Sequence, residues 1–278
     1  MDASAYPERL SSAFPTGLEV LHEPSRWSDG RYRPPLVFLH GAFSGGWIWA
    51  ENFMPWFAEA GYDCFAPSFR GHGKSSGIER LHEFGIDDYV EDALRVISAL
   101  GDAPVLVGHS MGGYVVQKLL ARIDVEAYCL MASVPPTGLM GPAITMAWFQ
   151  PWLLWRIGEI QHQGVDIARP ETFREALFRE DIPEELAATY MSRAQNESRR
   201  ATLDMYGPAV SDPWRLRVFP ALVMGAQMDR LIAPMHVRQT AAIVGTTARL
   251  LPDLGHGMML ERDWESAAKV LLEFLEAL

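Results

Sequence analysis

Short apolar runs alternate with amphipathic segments through the first half of the chain. Four runs are apolar at nearly every position, which is typical of strands buried on both faces of a sheet. The segments between them carry apolar residues every three or four positions, as at Val90, Leu94 and Ile97, and this spacing predicts helices. We predict strands at residues 36–39, 62–66, 105–107 and 127–131, and helices at residues 47–59, 87–100 and 112–122. This alternation favours a parallel sheet with helices on both faces.

The alternation stops between Pro135 and Pro213, where helical patterns follow one another without a convincing strand. Strands are again predicted at residues 221–224 and 249–251, with helices at residues 234–244 and 262–278. The pattern therefore predicts an α/β core domain formed by residues 1–134 and 214–278. Residues 135–213 are predicted to be inserted into this core as a helical lid.

Composition and charge exclude several classes of protein. The 278 residues are 49% hydrophobic and 21% charged, which is typical of a soluble chain with one large domain. The 24 basic and 35 acidic residues leave a net charge of -11, which opposes binding to a phosphate backbone, so we expect no nucleic-acid partner. The most apolar stretch, residues 143–157, is interrupted by Gln150 and Pro151. It is shorter than the roughly 20 residues of a transmembrane helix, so we expect no membrane span.

The N-terminal residues indicate where the protein is located, and the positions of the cysteines indicate whether they form a disulfide. Residues 1–9 contain acidic residues and proline where a secretory signal has a basic start and an apolar run, so we expect a cytoplasmic protein. Cys64 and Cys129, the only two cysteines, lie in predicted strands and are expected to be buried free thiols. The sequence shows no His-rich or Cys-rich ligand cluster, and we therefore expect no metal and no cofactor.

A serine stands among glycines where a predicted strand meets a predicted helix, in the segment Gly108-His109-Ser110-Met111-Gly112. The small residues two positions before and after Ser110 allow a sharp turn that exposes its hydroxyl above the edge of the sheet. The backbone N–H of Met111, at the start of the helix, is then directed to where an oxyanion forms. This context favours a nucleophilic serine over an ordinary glycine turn.

A serine hydroxyl is a weak nucleophile and needs a histidine base that a carboxylate orients. Asp229 and His256 each follow one of the two strands predicted in the second half of the chain. Because the ends of parallel strands meet at one edge of a sheet, we predict that Ser110, Asp229 and His256 form a catalytic triad. Asp253 is a rival acid, but it lies only three residues before His256 and not in the loop after the preceding strand.

The loop after the first predicted strand, His40-Gly41-Ala42-Phe43, is expected to supply a second oxyanion donor. Gly41 lets the backbone turn closely there. We favour the N–H of Ala42 over that of Phe43, beside that of Met111. His40 is expected to hydrogen-bond within this loop and shape it, with no chemical role of its own.

These segments, in this order, resemble the α/β-hydrolase superfamily. The matching residues span nearly the whole chain and are His40-Gly41, Arg70-Gly71-His72-Gly73-Lys74-Ser75, Gly108-His109-Ser110-Met111-Gly112-Gly113, Asp229 and Gly255-His256. The resemblance implies an α/β-hydrolase fold with an eight-stranded, mostly parallel sheet and a helical lid inserted after the sixth strand. Serine at the nucleophile position disfavours the haloalkane dehalogenase branch. The segment from Arg70 and the Ser110-Met111 pair are similar to carboxylesterases and monoacylglycerol lipases, but the loop after Gly41 departs from the lipases.

The predicted lid is rich in large apolar side chains. We expect Trp148 and Trp152 to line an acyl-binding pocket together with Phe43 and Met258, because ligand pockets are mostly apolar. Two alternatives stay open for the aromatic residues of the lid. They pack the lid on the core, or they form an exposed patch that contacts lipid, which the acidic net charge does not support.

The sequence thus predicts a serine hydrolase that cleaves carboxylic esters of apolar acyl groups through an acyl-enzyme intermediate. Its expected partner is a small-molecule acyl substrate. One alternative is another reaction of the same triad, such as thioester, amide or carbon–carbon bond hydrolysis or acyl transfer. A second alternative is a small-molecule receptor built on the same fold. The oligomeric state is not indicated.

Overall fold

A single seven-stranded sheet organises the part of the chain that the structure describes. The computed structural model describes residues 17–179 and 182–278. The strands are β1 (Val20–Glu23), β2 (Leu36–Leu39), β3 (Cys64–Pro67), β4 (Val105–His109), β5 (Ala127–Met131), β6 (Ala221–Ala226) and β7 (Arg249–Leu251). Their order across the sheet is β1-β3-β2-β4-β5-β6-β7. All neighbours are parallel except β1, which pairs with β3 in the antiparallel sense.

Helices cover both faces of this sheet. They are α1 (Trp47–Ala50), α2 (Phe53–Glu59), α3 (Ile86–Leu100), α4 (Met111–Leu119), α5 (Met140–Phe149), α6 (Pro151–Gln163), α7 (Pro170–Leu177), α8 (Glu184–Ser192), α9 (Arg199–Asp204), α10 (Pro234–Val244) and α11 (Trp264–Glu276). Strand β2 separates two apolar cores, because its side chains alternate between the faces. Leu36 and Phe38 join the core under α1, α2 and α11, whereas Val37 and Leu39 join the core under α3, α4 and α10. Cys64 and Cys129 are buried free thiols in β3 and β5.

The sheet differs from the expectation in strand number. The described residues contain seven strands instead of eight, and the lid follows the fifth strand instead of the sixth. Strand β1 was not predicted, because the edge position leaves it half-buried and it carries the polar residues His22 and Glu23. The ring of His22 nevertheless stacks on Phe65 of β3, with 4.4 Å between ring centroids. Residues 1–9, from which we expect a cytoplasmic location, lie outside the described residues.

The helix predicted over residues 47–59 is divided into α1 and α2. The break falls before Pro55, which lacks an N–H and whose ring clashes with the carbonyl of residue 51 in a continuous helix. Elsewhere the predicted helices of the core are present, with ends that differ by a few residues.

The lid region is helical, as the sequence pattern predicts. Helices α5 to α9 lie between β5 and β6, and the described residues of this segment contain no strand. None of the helices within residues 17–179 and 182–278 is long and apolar enough to cross a membrane.

Glycines allow α4 to lie directly on the sheet. A Cβ added to Gly108 would lie 2.5 Å from the carbonyl oxygen of Gly112, and one added to Gly112 would lie 2.6 Å from the carbonyl oxygen of His40. Backbone atoms occupy these positions, so no flexible side chain can move to make room. The turn between β4 and α4 therefore requires the small residues of the G-x-S-x-G pattern.

Gly112→Ala is expected to destabilise the protein by about 1–3 kcal/mol, because overlap with backbone outweighs the higher helix propensity of alanine. Gly158→Ala is the matched control, since Gly158 lies inside α6 with nothing within 4 Å of an added Cβ. This control is expected to stabilise the protein by about 0.5–1 kcal/mol. Urea unfolding of both variants measures the difference, and equal stability of Gly112→Ala and the wild type would contradict the packing argument.

Candidate active site

Ser110 lies in a strained turn between β4 and α4. Its backbone has φ 51° and ψ −115°, a conformation that L residues rarely adopt and that costs about 1–3 kcal/mol. Hydrogen bonds fix the turn on both sides: the Ser110 N–H donates to Met131 (3.1 Å), and the Ser110 carbonyl accepts from Val134 (3.1 Å) and Gly113 (3.1 Å). Strand β5 with the loop that follows it, and helix α4, therefore hold Ser110 at the carboxyl edge of the sheet.

Asp229 and His256 are joined by a hydrogen bond at the same edge. Asp229 follows β6, His256 follows β7, and the His256 Nδ1 lies 2.8 Å from the Asp229 Oδ2. The other oxygen of Asp229 accepts from the backbone N–H groups of Leu231 and Ile232, each at 2.8 Å. Both side chains are buried, and these bonds leave the carboxylate fully paired. The arrangement fixes the orientation of the imidazole ring.

The loop that carries His256 is hydrogen-bonded to His109, which precedes Ser110, and to helix α7. The His109 Nε2 lies 3.0 Å from the carbonyl oxygen of His256, and the Gly257 N–H donates to the carbonyl of Leu177 in α7 (2.7 Å). Burial, and then the adjacent His256, hold the pKa of His109 well below its usual range. His109 is therefore a neutral ring that packs beneath His256.

A largely apolar cavity lies between the sheet edge and the lid. It has a volume of about 280 Å³, and both Ser110 and His256 line it. The lid contributes Met146, Ile157 and Phe173, and the described residues that line the cavity include no Asp, Glu, Lys or Arg. Asp229 is not part of the lining, because it lies behind His256. The structure thus brings the three predicted triad residues together beside one apolar cavity.

The loop after β2 lines this cavity with Ala42, the predicted oxyanion donor. The carbonyl of Gly41 accepts hydrogen bonds from the Ser44 hydroxyl (2.8 Å) and from the Nδ1 of His40 (2.8 Å). Because the C=O and N–H of a trans peptide point in opposite directions, the N–H of Ala42 points away from both groups. Ala42 lines the cavity, and within the described residues its N–H has no acceptor. Met111 also lines the cavity as the first residue of α4, where the N–H has no partner within the helix.

His40 acts within this loop as a neutral ring. Its Nε2 accepts the N–H of Phe69 at 3.0 Å, so the proton resides on the Nδ1 that donates to Gly41. Burial, and then the charge of His72, lower the pKa of His40 to about 3. His40 therefore shapes the loop, which is the role that the sequence predicts for it.

Three of the four predicted substrate-binding residues are placed elsewhere. Phe43 lines the cavity, but Trp148 and Trp152 do not, and they are 80% and 59% exposed. Helix α6 turns Leu154 to the cavity and Trp152 outwards, where the Arg156 guanidinium lies 4.7 Å from the Trp152 ring. Helix α5, which carries Trp148, is apolar at nearly every position, and α6 begins with the apolar run Pro151-Trp152-Leu153-Leu154-Trp155. Periodicity therefore did not indicate which side of either segment faces the cavity.

The prediction that Met258 lines the pocket is also wrong. Its side chain is fully buried in the core under α11, and the next residue, Met259, lines the cavity instead. A short 3-10 helix, Met258–Leu260, causes this, because it turns the two adjacent side chains in different directions.

A buried ion pair, not predicted from the sequence, lies beside the loop that follows β2. The His72 Nε2 lies 3.1 Å from the Glu197 Oε2, and both side chains are fully buried. Burial opposes both charges, but attraction to Glu197 outweighs it and raises the pKa of His72. The charge of His72, with hydrogen bonds from its ring, from the Ser198 N–H and from Tyr89, likewise holds the pKa of Glu197 below its usual range. Glu197 lies in the polar run Gln195-Asn196-Glu197-Ser198, where no apolar residue indicates burial, so no sequence signal marked it.

Within the described residues, no three His, Cys, Asp or Glu side chains are grouped so that they could hold a metal ion. The cysteines do not contribute to the site, because both are buried in strands and burial raises the pKa of each thiol.

The fold and this site define a protein of the α/β-hydrolase class, and comparisons with known proteins agree. A family model described as the alpha/beta hydrolase family matches residues 36–270. A non-heme haloperoxidase of Rhodococcus erythropolis is 26% identical over 293 aligned positions, which cover 94% of this chain and 97% of that protein. A non-heme chloroperoxidase of Burkholderia pyrrocinia is 31% identical over 144 positions, 51% of this chain and 46% of that protein.

Solved structures agree on the fold. A thermophilic esterase from Thermogutta terrifontis superposes with a TM-score of 0.73 at 18% identity, over 94% of this chain and 93% of that one. The chain therefore belongs to the alpha/beta hydrolase family.

The stability that the His72–Glu197 pair contributes is expected to depend on pH. His72 has a pKa above its ordinary 6.5, so its contribution is complete below pH 6.5 and is lost as the pH rises through the raised value. Glu197 has a pKa below its ordinary 4.5, so its contribution is complete above pH 4.5 and is lost as the pH falls through the lowered value. The pair therefore stabilises the protein most between these two ordinary values.

Thermal unfolding of the wild type and of His72→Gln from pH 4 to pH 9 measures this effect. The difference in Tm is expected to be largest near pH 5.5 and to shrink as the pH rises through the raised pKa of His72. A difference that stays the same over this range would contradict the expected titration of His72.

Proposed function

We propose that this protein is a carboxylic ester hydrolase with Ser110 as nucleophile, His256 as general base and Asp229 as the group that orients His256. The observation that carries the proposal is the buried Asp229–His256 hydrogen bond at the edge of the cavity where the strained Ser110 turn also opens. These are the residue types of an acyl-transfer triad, and the Asp229–His256 hydrogen bond is one of the two connections that such a triad needs.

The reaction follows from this arrangement. Ser110 Oγ attacks the ester carbonyl while the Nε2 of His256 takes its proton, and the negative charge develops on the former carbonyl oxygen. The N–H groups of Ala42 and Met111 donate to that oxyanion. The tetrahedral intermediate expels the alcohol, which His256 protonates, and Ser110 keeps the acyl group. Water, deprotonated by His256, then attacks the acyl-enzyme. The second tetrahedral intermediate breaks its bond to Ser110 Oγ, which takes the proton back from His256, and the acid is released.

The cavity supports uncharged, apolar acyl groups as substrates. Its lining residues include aliphatic and aromatic side chains from both core and lid and, among the described residues, no charged one. Burying a carboxylate or ammonium group there would remove its hydration without a partner, which is strongly unfavourable. The volume of about 280 Å³ suits an acyl group of small to medium size.

We further propose the predicted domain division. Residues 135–213 form a lid over a core made of residues 1–134 and 214–278. Helices α5, α6 and α7 support this proposal, because each contributes a side chain to the wall of the cavity. These side chains are Met146 of α5, Ile157 of α6 and Phe173 of α7.

The triad is tested by three variants with p-nitrophenyl butyrate as substrate. Ser110→Ala and Asp229→Asn are each expected to lower kcat by about 10⁴-fold, because the first lacks the nucleophile and the second fails to hold the required tautomer of His256. Asp253→Asn is the matched control, since Asp253 is exposed and pairs with Arg179. Its kcat is expected to stay within about twofold of the wild type.

Residual turnover by Ser110→Ala near the wild-type level would refute the assignment of the nucleophile. A wild type whose Ser110 reacts with an active-site probe but which does not hydrolyse esters would instead support another reaction of the triad, such as acyl transfer or thioester hydrolysis.

The uncharged cavity makes a second prediction about substrates. The kcat/KM for the mono-p-nitrophenyl ester of glutaric acid is expected to be at least about 100-fold lower than for p-nitrophenyl hexanoate, because the free carboxylate would be buried without a partner. The methyl ester of the same glutarate is a neutral control of similar size, and its kcat/KM is expected to lie within about tenfold of the hexanoate value. Equal values for the charged and neutral glutarates would contradict the proposed substrate class.

A further inference from the structure

The end of the lid is hydrogen-bonded to the loop that carries the proposed oxyanion donor. The Gln195 N–H donates to the carbonyl of Phe43 at 2.9 Å, and the N–H of Phe43 lies 3.4 Å from the Glu197 Oε2. Phe43 is therefore held through both of its backbone polar groups by a segment about 150 residues further along the chain.

Phe43 needs such support because its backbone is strained. It has φ 61°, in the left-handed region that non-glycine residues rarely adopt. A strained conformation persists only where surrounding contacts fix it. The contacts to Gln195 and Glu197 provide this constraint, together with the cavity wall that the Phe43 ring forms.

Glu197 is held in place more firmly than an ordinary lid residue. It is 1% exposed, and its Oε1 accepts from the Tyr89 hydroxyl (2.8 Å) and from the Ser198 N–H (2.7 Å). Its Oε2 faces the His72 Nε2 (3.1 Å) as well as Phe43. The other ring nitrogen of His72 faces the carbonyl of Arg70 at 3.3 Å, so both nitrogens face acceptors. The carboxylate is thus a fixed point against which the Phe43 N–H is set.

Ala42 lies between two fixed peptide groups. On its N-terminal side, His40 and Ser44 hold the carbonyl of Gly41. On its C-terminal side, Glu197 holds the N–H of Phe43. The dihedral angles of Ala42, and with them the direction of its N–H, depend on both supports.

We propose that Glu197 is a positioning residue: this lid carboxylate sets the oxyanion donor of Ala42 through the backbone N–H of Phe43. This inference rests on the proposed ester hydrolysis, because it concerns the oxyanion site of that reaction. The lid then has a role in the chemical step in addition to forming part of the cavity wall.

The test compares an ester with the matching thionoester, in which sulfur replaces the carbonyl oxygen. Sulfur accepts hydrogen bonds weakly, so a well-placed oxyanion site favours the oxygen ester in kcat/KM. Glu197→Gln is expected to lower kcat for p-nitrophenyl butyrate by about tenfold to a hundredfold with KM within about threefold of the wild type. The ratio of kcat/KM for ester over thionoester is expected to fall at least about fivefold, because a displaced donor harms only the oxygen substrate.

Glu175→Gln is the matched control. It makes the same substitution at an exposed carboxylate of the lid that pairs with Arg230 and does not face Phe43, and its ester-to-thionoester ratio is expected to match that of the wild type. If Glu197→Gln does not fold, Glu197→Asp keeps the charge opposite His72 but withdraws the carboxylate by one methylene, and the same fall in ratio is expected.

If kcat/KM for the ester and for the thionoester fall equally in the folded Glu197 variant, or if neither falls, the ratio is unchanged. That result would overturn the positioning role while leaving the proposed hydrolysis intact. Absence of Ser110-dependent hydrolysis in the wild type would overturn both.

Discussion

The left-handed backbone of Ser110 is the constraint on which the site depends. An L residue at φ 51° is stable only where neighbouring backbone leaves no alternative, and here β2, β5 and α4 enclose the turn. The same enclosure excludes side chains at Gly108 and Gly112. The packing of Gly108 against the backbone of α4, and of Gly112 against the end of β2, is therefore what exposes the Ser110 hydroxyl at the sheet edge. The parallel sheet then brings the loops of Asp229 and His256 to the same edge.

Two rigid supports meet at the cavity, one from the core and one from the lid. The core fixes the carbonyl of Gly41 with a neutral His40, whose low pKa follows from burial and from the neighbouring charge of His72. The lid places Glu197 opposite His72, where the paired charges compensate one another's desolvation. A buried ion pair is a poor source of stability compared with apolar packing. The Glu197 carboxylate of this pair also accepts a hydrogen bond from the Phe43 N–H, which an apolar side chain at this position could not do.

The fold and the proposed triad could be read from the sequence because they rest on local patterns. Continuous apolar runs marked β2, β4 and β5, and the G-x-S-x-G spacing marked the turn at Ser110. Strand β1 was not predicted, because an edge strand lacks the apolar run that burial on both faces produces. Glu197 was not predicted either, because its partner His72 lies 125 residues away and only the tertiary structure makes them neighbours. For Trp148 and Trp152 the residue types indicated an apolar environment, but two apolar helix faces gave no way to tell cavity from surface.

The central claim is that Ser110 is a nucleophile activated by His256. Reaction with a fluorophosphonate, followed by mass spectrometry of the intact protein and of its peptides, tests it most directly in the wild type and in His256→Ala. We expect one adduct per wild-type chain, located on Ser110, and little or none on His256→Ala. An adduct on another residue, or no adduct on a folded wild type, would contradict the account.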